Sequence, residues 1–529
     1  MIDEKPRRLR YYPQSFPGIP WKGCGSALAS TILPSLASND GVETNLWPAF
    51  QDKAVVAAVD VMTLIRVTLL SKLHLTQQQQ SELSTRHSPR FPPQTFALVP
   101  ALCPESLVHV LRDEFGLHID YYDVDLHSYD FPLTALQCAA TAVASRLAAR
   151  DPAEGHAPQL SVVLLIEPPG LSGRQYSEFS MLSLSTWARM EGAFVIADGA
   201  ECAALRGLLS HQSFLRFCPD LAIARVGNGF CQPTDSFGVI GVFEDSGLAK
   251  NVREKMQLLC PRPHSETRLR MLRHVFWKSA GDGLSLALLE KVHTLRKACY
   301  LPNTHSHRVD AMAWSRPSPH LSVPQDAALR PNAADRKFLN YALEEVCPDR
   351  LRAALASLMD IAARLPPYVQ VASIPSDVAK RPEGCHLVCR GTCIVLVNDP
   401  DQLSKALQRA GIDATPLKYS LSAVLNTTSI QDFPRRFPAS YLLHQNGVLL
   451  PCHESIGRSG RTAIAEVFSS LPTRDTESPD PLFHQKRSGR HLYSGGSLQL
   501  LQRITEFSDP FPLLLTLLLG PSTLILSRL

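Results

Sequence analysis

Apolar runs of four to seven residues recur along the first half of the chain, and segments with helical periodicity separate them. The segments that predict strands are Phe96–Val99, His118–Val124, Ser161–Ile166, Phe194–Ala197, Leu221–Val226 and Phe237–Phe243. The segments that predict helices between them are Glu105–Glu114, Leu133–Ala149, Tyr176–Met190 and Gly247–Leu259. Upstream, the long apolar run Val55–Leu75 predicts one buried helix. Strands that are buried on both faces and separated by helices form largely parallel sheets, so we predict an α/β domain.

A second, smaller α/β unit is predicted beyond residue 330. Its helices are predicted over Arg350–Leu365 and Arg461–Leu471, and its strands over Cys393–Val397 and Val448–Leu450. Asp399, followed by Pro400, predicts the N-cap of a further helix. The predicted organisation has five parts: an N-terminal arm (1–50), a large domain (51–300), a linker (301–330), a small C-terminal domain (331–471) and a low-information tail (472–529).

Composition narrows the class of protein. Of the 529 residues, 45% are hydrophobic and 19% are charged, which excludes wholesale disorder and a coiled coil. The net charge of +4 is small for this length and no long basic run accompanies it, so we do not expect nucleic-acid binding. Thirteen cysteines without a predicted secretory leader favour a reduced, cytoplasmic compartment. Because the apolar stretch Phe511–Leu526 is short and interrupted by Gly520 and Pro521, we do not expect a membrane anchor.

Several common site motifs are incomplete in this sequence. Cys385, Cys389 and Cys393 have a spacing that zinc and iron–sulfur sites do not use, so we interpret them as core or surface thiols and predict no metal site. Gly227 and Gly229 lack the third glycine of a dinucleotide-binding loop. The sequence contains neither a nucleophile elbow nor a Walker loop.

One carboxylate differs from this background because of its position. Asp198 directly follows the predicted strand Phe194–Ala197. Open α/β sheets bind ligands at the carboxyl ends of their strands, and a carboxylate buried there needs a partner. Asp198 is therefore a candidate ligand-binding residue. The alternative interpretation is an ordinary loop residue or the N-cap of the turn that follows.

The order of these features resembles the DegT/DnrJ/StrS family of sugar aminotransferases, which have the type I pyridoxal-phosphate fold. The stretches that carry the resemblance are Phe96–Pro104, Tyr121–Asp125, Val195–Glu201, Asp235–Ile240 and, in the C-terminal unit, Leu403–Pro416 with Leu449–His453. The resemblance implies a large, mostly parallel seven-stranded sheet domain and a smaller C-terminal α/β domain. It also implies pyridoxal phosphate as cofactor and a dimer with the active site at the interface.

The family's functional positions are altered in this sequence. In the family, a carboxylate pairs with the pyridine nitrogen, a lysine forms the Schiff base, and hydroxyls or a helix N-terminus hold the phosphate. By resemblance, Asp198 takes the position of the ring-nitrogen carboxylate and Glu201 that of a neighbouring glutamine. The lysine position falls on Asn228, which cannot form an imine, and the phosphate-binding serine falls on Ile223. The family's Gly-x-x-Ala-Leu helix start becomes Ile65–Leu69, which has no glycine.

A lysine-free interval supports this assignment whatever the alignment register. No lysine occurs between Lys72 and Lys250, an interval that covers the large-domain sheet past the strand that follows the lysine motif. Lys250 is predicted on the next helix, beyond the reach of the cofactor. No shift of register therefore restores a Schiff-base lysine. The sequence predicts an aminotransferase-like protein that has lost transamination and does not retain the cofactor covalently.

Four roles remain open for such a chain. The first is a non-catalytic partner, either in a homodimer or in a heterodimer with an active paralogue. The second is a small-molecule binder or enzyme that reuses the cleft without an imine, with Asp198, Glu201 and Asn228 lining a polar pocket for a ligand such as a nucleotide-sugar. The third is a functional aminotransferase whose lysine, for example Lys22, comes from the N-terminal arm or the other subunit. The fourth is a decaying reading frame.

Overall fold

The structure is a computed structural model that describes part of the chain. The described residues are 54–80, 91–92, 94–103, 105–124, 133–150, 157–166, 178–201, 220–226, 238–264, 267, 329–336, 348–366, 369–372, 392–410, 412, 414–417, 422–425, 428–452 and 456–470. The predicted N-terminal arm and tail lie outside the described residues, and so does the predicted linker up to residue 328.

A seven-stranded sheet organises the larger part of the described chain. Its strands are β1 (Ala54–Ala58), β2 (Thr95–Pro100), β3 (His118–Tyr122), β4 (Gln159–Ile166), β5 (Phe194–Glu201), β6 (Leu221–Val226) and β7 (Gly238–Phe243). They are arranged in the order β1-β7-β6-β5-β4-β2-β3. β7 is antiparallel to both of its neighbours, and the other pairs are parallel. The predicted, mostly parallel seven-stranded sheet is confirmed.

Helices cover both faces of this sheet. They are α1 (Val61–Gln80), α2 (Glu105–His109), which continues into a π-helical turn (Val110–Glu114), α3 (Leu133–Arg150), α4 (Glu178–Met190) and α5 (Ser246–Leu258). α1, α2 and α5 pack on one face, and α3 and α4 pack on the other. Burial on both faces explains why most of these strands are apolar runs in the sequence instead of alternating patterns.

The predicted single helix over Val55–Leu75 is wrong at its beginning. Its first residues belong to β1, which pairs with β7 in a register that places Ala58 opposite Val239. The helix starts only at Val61, after a turn that contains Asp60. Asp60 is the only charged residue between positions 54 and 65. An unbroken apolar run has no periodicity that separates a buried strand from a buried helix, so the boundary was hidden.

A four-stranded antiparallel sheet forms the core of the C-terminal unit. Its strands are β10 (Gln370–Val371), β11 (Thr392–Leu396), β12 (Thr415–Pro416) and β13 (Gly447–Pro451), in the order β10-β11-β13-β12. The helices here are α6 (Pro348–Arg364), α7 (Pro400–Arg409), α8 (Ser422–Leu425), α9 (Phe433–Arg436), α10 (Pro438–Asn446) and α11 (Gly457–Ser470). α6, α7 and α11 pack on one face of the sheet, and α10 on the other. Asp399 caps α7 as predicted, accepting the N–H of Gln402 at 2.9 Å.

A buried polar cluster joins two distant segments next to β1. The segments contain the paired strands β8 (Cys260–Pro261) and β9 (Leu329–Arg330). Arg262 and Asp335, both with fully buried side chains, form an ion pair at 3.1 Å. Thr267 donates its hydroxyl to the same carboxylate at 3.0 Å. Arg262 also donates to the carbonyl of Val59 at 3.3 Å, so this cluster holds the end of β1.

Candidate functional site

The carboxyl ends of six strands meet at one edge of the large sheet. β1 to β6 all run in the same direction, and only β7 runs against them. The chain first moves outward from β2 to β3, then returns to β4 and continues through β5 and β6. Strand order thus reverses between β2 and β4, which is where open α/β sheets form ligand-binding crevices. This carboxyl edge is the candidate site.

The structure places the predicted ligand residue Asp198 inside β5. The strand continues past it to Glu201, with a register shift between Asp198 and Ala200. Asp198 pairs with Ile166 of β4 and Ile223 of β6, and Glu201 pairs with Arg225. The expectation that the strand ends at Asp198 is therefore wrong, and the alternative of a loop residue or helix cap is wrong too. Ligand binding by Asp198 and Glu201 stays a prediction, and Asn228 lies outside the described residues.

Two positions assigned to phosphate binding lie elsewhere than expected. Ile223, at the position of the phosphate-binding serine, is completely buried in the middle of β6 and belongs to the core under α1. The segment Ile65–Leu69 begins in the second turn of α1, not at its start. Ile223 has no polar side-chain group, and in the second segment Arg66 is paired with Glu114 while Thr68 is fully buried.

The Asp60 carboxylate caps the N-terminus of α1. Asp60 Oδ1 accepts the backbone N–H of Thr63 at 2.7 Å, while the Asp60 carbonyl accepts the N–H of Leu64 at 3.2 Å. The first three residues of the helix, Val61, Met62 and Thr63, are only 6%, 8% and 4% exposed. An anion at this helix end would meet a negative charge and occupied donors. The described residues therefore do not fit the phosphate of pyridoxal phosphate at α1.

Lys72, the last lysine before the lysine-free interval, lies at the opposite edge of the sheet. Its Nζ stands 4.2 Å from the ring centroid of Phe194, the first residue of β5. Asp198 is four positions further along β5 than Phe194, a distance of about 13 Å. Burial lowers the pKa of Lys72, and the nearby Asp220 opposes that shift. Lys72 cannot place its amine beside Asp198.

The other described lysines also lie away from the carboxyl edge. Lys250 is exposed in the first half of α5, a helix that begins after β7 has returned to the amino edge. Lys255 donates to the carbonyl of Leu70 at 3.1 Å, and burial lowers its pKa. Lys405 is exposed on α7 of the C-terminal unit. Lys22, considered as a substitute amine, lies outside the described residues.

The C-terminal unit packs against the end of β2. Leu102, two residues beyond this strand, is buried among residues of the small sheet and α10, including Ile394, Leu443 and Leu449. Tyr121 of β3 contacts the Phe437 ring edge to face, with 6.5 Å between centroids. The two units therefore share a continuous apolar contact beside the candidate site.

Two aspartates of the β3 region attach the C-terminal unit by polar contacts. Buried Asp120 pairs with Arg146 of α3 at 2.8 Å and with Arg436 of α9 at 2.6 Å. Asp123 accepts the N–H groups of Ala439 and Ser440, both at 2.9 Å, and the Ser440 hydroxyl at 2.5 Å.

These contacts make Asp123 the N-cap of α10, although it lies 316 residues before Ala439. Phe437, the residue in the N-cap position, provides no side-chain hydrogen bond. Burial raises the pKa of the Asp123 carboxyl, and the hydrogen bond from Ser440 opposes that shift.

Sequence reasoning missed the roles of Asp60, Asp120 and Asp123. An aspartate before a helical segment is an N-cap signal, so Asp60 could have been found had the strand before it been recognised. Asp123 belongs to a stretch that resembles the aminotransferase family, but nothing local identifies α10 as its partner.

The prediction of no metal site stays a prediction, because the structure describes only one of the three cysteines considered for it. In the described ranges, no group of three or more His, Cys, Asp and Glu residues is placed to hold a metal ion. Cys393 is buried in β11, while Cys385 and Cys389 lie outside the described residues.

No helix within the described segments combines the length and hydropathy needed to cross a bilayer.

Solved structures with a similar fold include sugar aminotransferases. The chain matches a DegT DnrJ EryC1 StrS aminotransferase from Brucella abortus with a TM-score of 0.50 and 14% sequence identity, over 85% of this chain and 95% of that one. The sugar aminotransferase CalS13 from Micromonospora echinospora matches with a TM-score of 0.51 and 13% identity, over 87% and 100% of the two chains. DesI, in a structure determined in the presence of its TDP-sugar product, matches with a TM-score of 0.51 and 14% identity, over 87% and 92%.

Sequence comparison adds no closer relationship. No protein-family model matches this sequence, and no curated protein matches it. At 13–14% identity the structural likeness establishes the fold alone. The fold is the α/β fold of sugar aminotransferases, with a large mostly parallel sheet.

Proposed function

We propose that this chain is an aminotransferase-like protein that no longer transaminates and instead binds a small ligand at the carboxyl edge of its large sheet without forming an imine. The lysine-free interval, residues 73–249, is the observation that carries the proposal. It contains every residue of β2 to β7. A Schiff base needs an amine at the cofactor ring, and a general base elsewhere cannot replace it.

The positions of the described lysines support the proposal. Lys72 lies at the amino edge over Phe194, and Lys255 is held against α1. Lys250 and Lys405 are exposed on helices. Asp198 and Glu201, on β5 beside the sheet's crevice, are the residues we propose to line the ligand site, together with Asn228. We also propose that the protein forms a homodimer, or a heterodimer with an active paralogue, and that it is cytoplasmic.

Borohydride trapping with pyridoxal phosphate tests the proposal directly. The wild-type protein and a Lys72→Met variant are incubated with pyridoxal phosphate, reduced with borohydride and analysed by peptide mapping. We expect no stoichiometric internal aldimine band and no stoichiometric adduct at the carboxyl edge. Lys72 has a lowered pKa and is therefore prone to non-specific labelling, so an adduct that disappears in Lys72→Met agrees with the proposal. A stoichiometric adduct on another lysine, Lys22 above all, would overturn it.

A further inference from the structure

We propose that Asp60 is a specificity-determining residue that keeps phosphorylated ligands out of the cleft, so that the ligand is a neutral or cationic small molecule without a phosphate group at α1. This inference rests on the proposed function of the cleft and names the chemical class of its ligand. It begins from the disagreement between the start of α1 and the phosphate of pyridoxal phosphate.

A helix N-terminus at a ligand-binding edge normally attracts anions. Its first N–H groups have no partner within the helix, and the helix dipole places partial positive charge there. α1 has 20 residues and begins directly beyond β1, at the carboxyl edge. In this chain the Asp60 carboxylate already accepts the Thr63 N–H at 2.7 Å. A phosphate in the same place would lose that donor and stand beside a like charge.

Steric access to the remaining donors is also poor. Phosphate-binding turns use glycine because the backbone must approach the phosphate closely. The first turn of α1 instead contains Val61 and Met62, which are 6% and 8% exposed. The second expected phosphate ligand, a serine hydroxyl, is replaced by the fully buried Ile223. A phosphate would therefore find neither accessible backbone N–H groups at the first turn of α1 nor a serine hydroxyl at position 223.

Two arginines near this turn are paired with other carboxylates. Arg66, one turn into α1, donates to Glu114 through Nε at 2.6 Å and Nη2 at 2.5 Å. Arg262, which holds the Val59 carbonyl, is paired with buried Asp335 at 3.1 Å. Neither offers an uncompensated positive charge to a phosphate.

Calorimetric titration with three probes tests the role of Asp60. The probes are inorganic phosphate, pyridoxal phosphate and unphosphorylated pyridoxal, without borohydride. The variant is Asp60→Ser, because serine still caps a helix but carries no charge. The matched control is Asp245→Ser, since Asp245 caps α5 in the same way, accepting the Gly247 N–H at 2.7 Å, but at the opposite edge of the sheet.

We expect wild-type protein to bind pyridoxal phosphate no more tightly than pyridoxal, and to bind inorganic phosphate not at all. Asp60→Ser should bind pyridoxal phosphate about tenfold more tightly than wild type and should show measurable binding of inorganic phosphate. Asp245→Ser should behave as wild type. Circular dichroism confirms that both variants fold.

Two results would overturn the inference. One is wild-type protein that binds pyridoxal phosphate at least about tenfold more tightly than pyridoxal without a trapped imine, which leaves the proposed function standing. The other is an Asp60→Ser variant with unchanged affinity for both phosphorylated probes. A trapped imine is distinguishable from both, because it contradicts the proposed function itself.

Discussion

At the residue scale, Asp60 and Asp123 perform the same task over different distances. Each accepts backbone N–H groups at the start of a helix, and each lies just beyond a strand at the carboxyl edge. Asp60 caps the helix that follows it immediately. Asp123 caps α10, which belongs to the other unit. A single carboxylate thereby couples the position of α10 to the large sheet.

Replacing Asp123 by alanine should lower the free energy of unfolding by about 1–2 kcal/mol, because the cap of α10 is lost. Ser440→Ala is the control, since it removes only the hydroxyl donor and leaves both backbone N–H groups bonded to Asp123. Its expected cost is about 1 kcal/mol or less. Urea denaturation of the two variants measures the difference. An equal loss in both would show that the backbone contacts contribute nothing.

At the element scale, α10 passes into β13 without an intervening loop, and Gly447 makes this possible. A Cβ at Gly447 would clash with the backbone carbonyl of Leu443 and would lie 2.7 Å from the Leu417 side chain. The backbone carbonyl cannot move without unwinding the last turn of α10. A side chain is therefore excluded from this junction for steric reasons.

Gly447→Ala should destabilise the protein by about 1–3 kcal/mol, as overpacking of a closed core does. Gly247→Ala is the comparison, because a Cβ there meets only the Asp245 side chain, at 3.2 Å. The comparison variant should change the free energy of unfolding by less than about 0.5 kcal/mol. Thermal unfolding followed by circular dichroism separates the two. Equal stabilities would mean that α10 and β13 can shift apart freely.

α6 and α11 are joined by a pH-sensitive contact. Asp360 of α6 pairs with Arg364 at 2.9 Å and with Arg461 of α11 at 2.5 Å. The hydrogen bond from Arg364, helped by Arg461, lowers the pKa of Asp360. A lowered folded-state pKa stabilises the fold above the ordinary carboxyl pKa, and this contribution disappears as the pH falls through the lowered value.

Asp360→Asn should therefore lower the melting temperature by less than about 2 °C at neutral pH, because the contact is partly exposed to solvent. The difference from wild type should shrink as the pH is lowered below about 4. Melting curves across that range measure it. A difference that stays constant down to acidic pH would contradict the assigned role of the Asp360 charge.

At the scale of the whole molecule, the Arg262–Asp335 cluster fixes three parts of the chain to one another. It connects the segment after α5, the segment that contains β9, and the end of β1. Asn332 adds bonds to the Arg262 carbonyl at 3.0 Å and to Thr267 at 2.7 Å. Because the cluster is fully buried, the charges and hydrogen-bonding groups of each residue need the other residues of the cluster as partners.

Asp335→Ala should cost about 3–5 kcal/mol, because it leaves the Arg262 charge buried without its carboxylate. The double replacement Arg262→Met with Asp335→Leu should cost clearly less, since it removes both charges. Chemical denaturation of the single and double variants tests this order. A double variant that is no more stable than Asp335→Ala would indicate that hydrogen bonds, not charge, dominate the cluster.

Local pattern predicted six of the seven strands of the large sheet but not their order. β4 and β6 appear within two residues of their predicted bounds, because burial on both faces makes a strand a compact apolar run. β1 was hidden because its apolar residues continue directly into α1. β5 continues beyond Asp198, past a bulge, because its residues pair with β6 there. Nothing in the local sequence of β5 indicates that pairing. The cap from Asp123 to α10 is equally invisible to a reading of neighbouring residues.

The Asp123 cap also has a consequence for the time at which the protein becomes complete during synthesis. Its two ends are 316 residues apart. At about 5–20 residues per second, the ribosome reaches Ala439 on the order of 15–60 s after Asp123. Through that interval the buried end of β3 and the Leu102 side chain lack the surface that finally covers them. In a nascent chain, the end of β3 and Leu102 therefore stay exposed long after the large sheet can form. We expect chaperones to have prolonged access to this part of the chain.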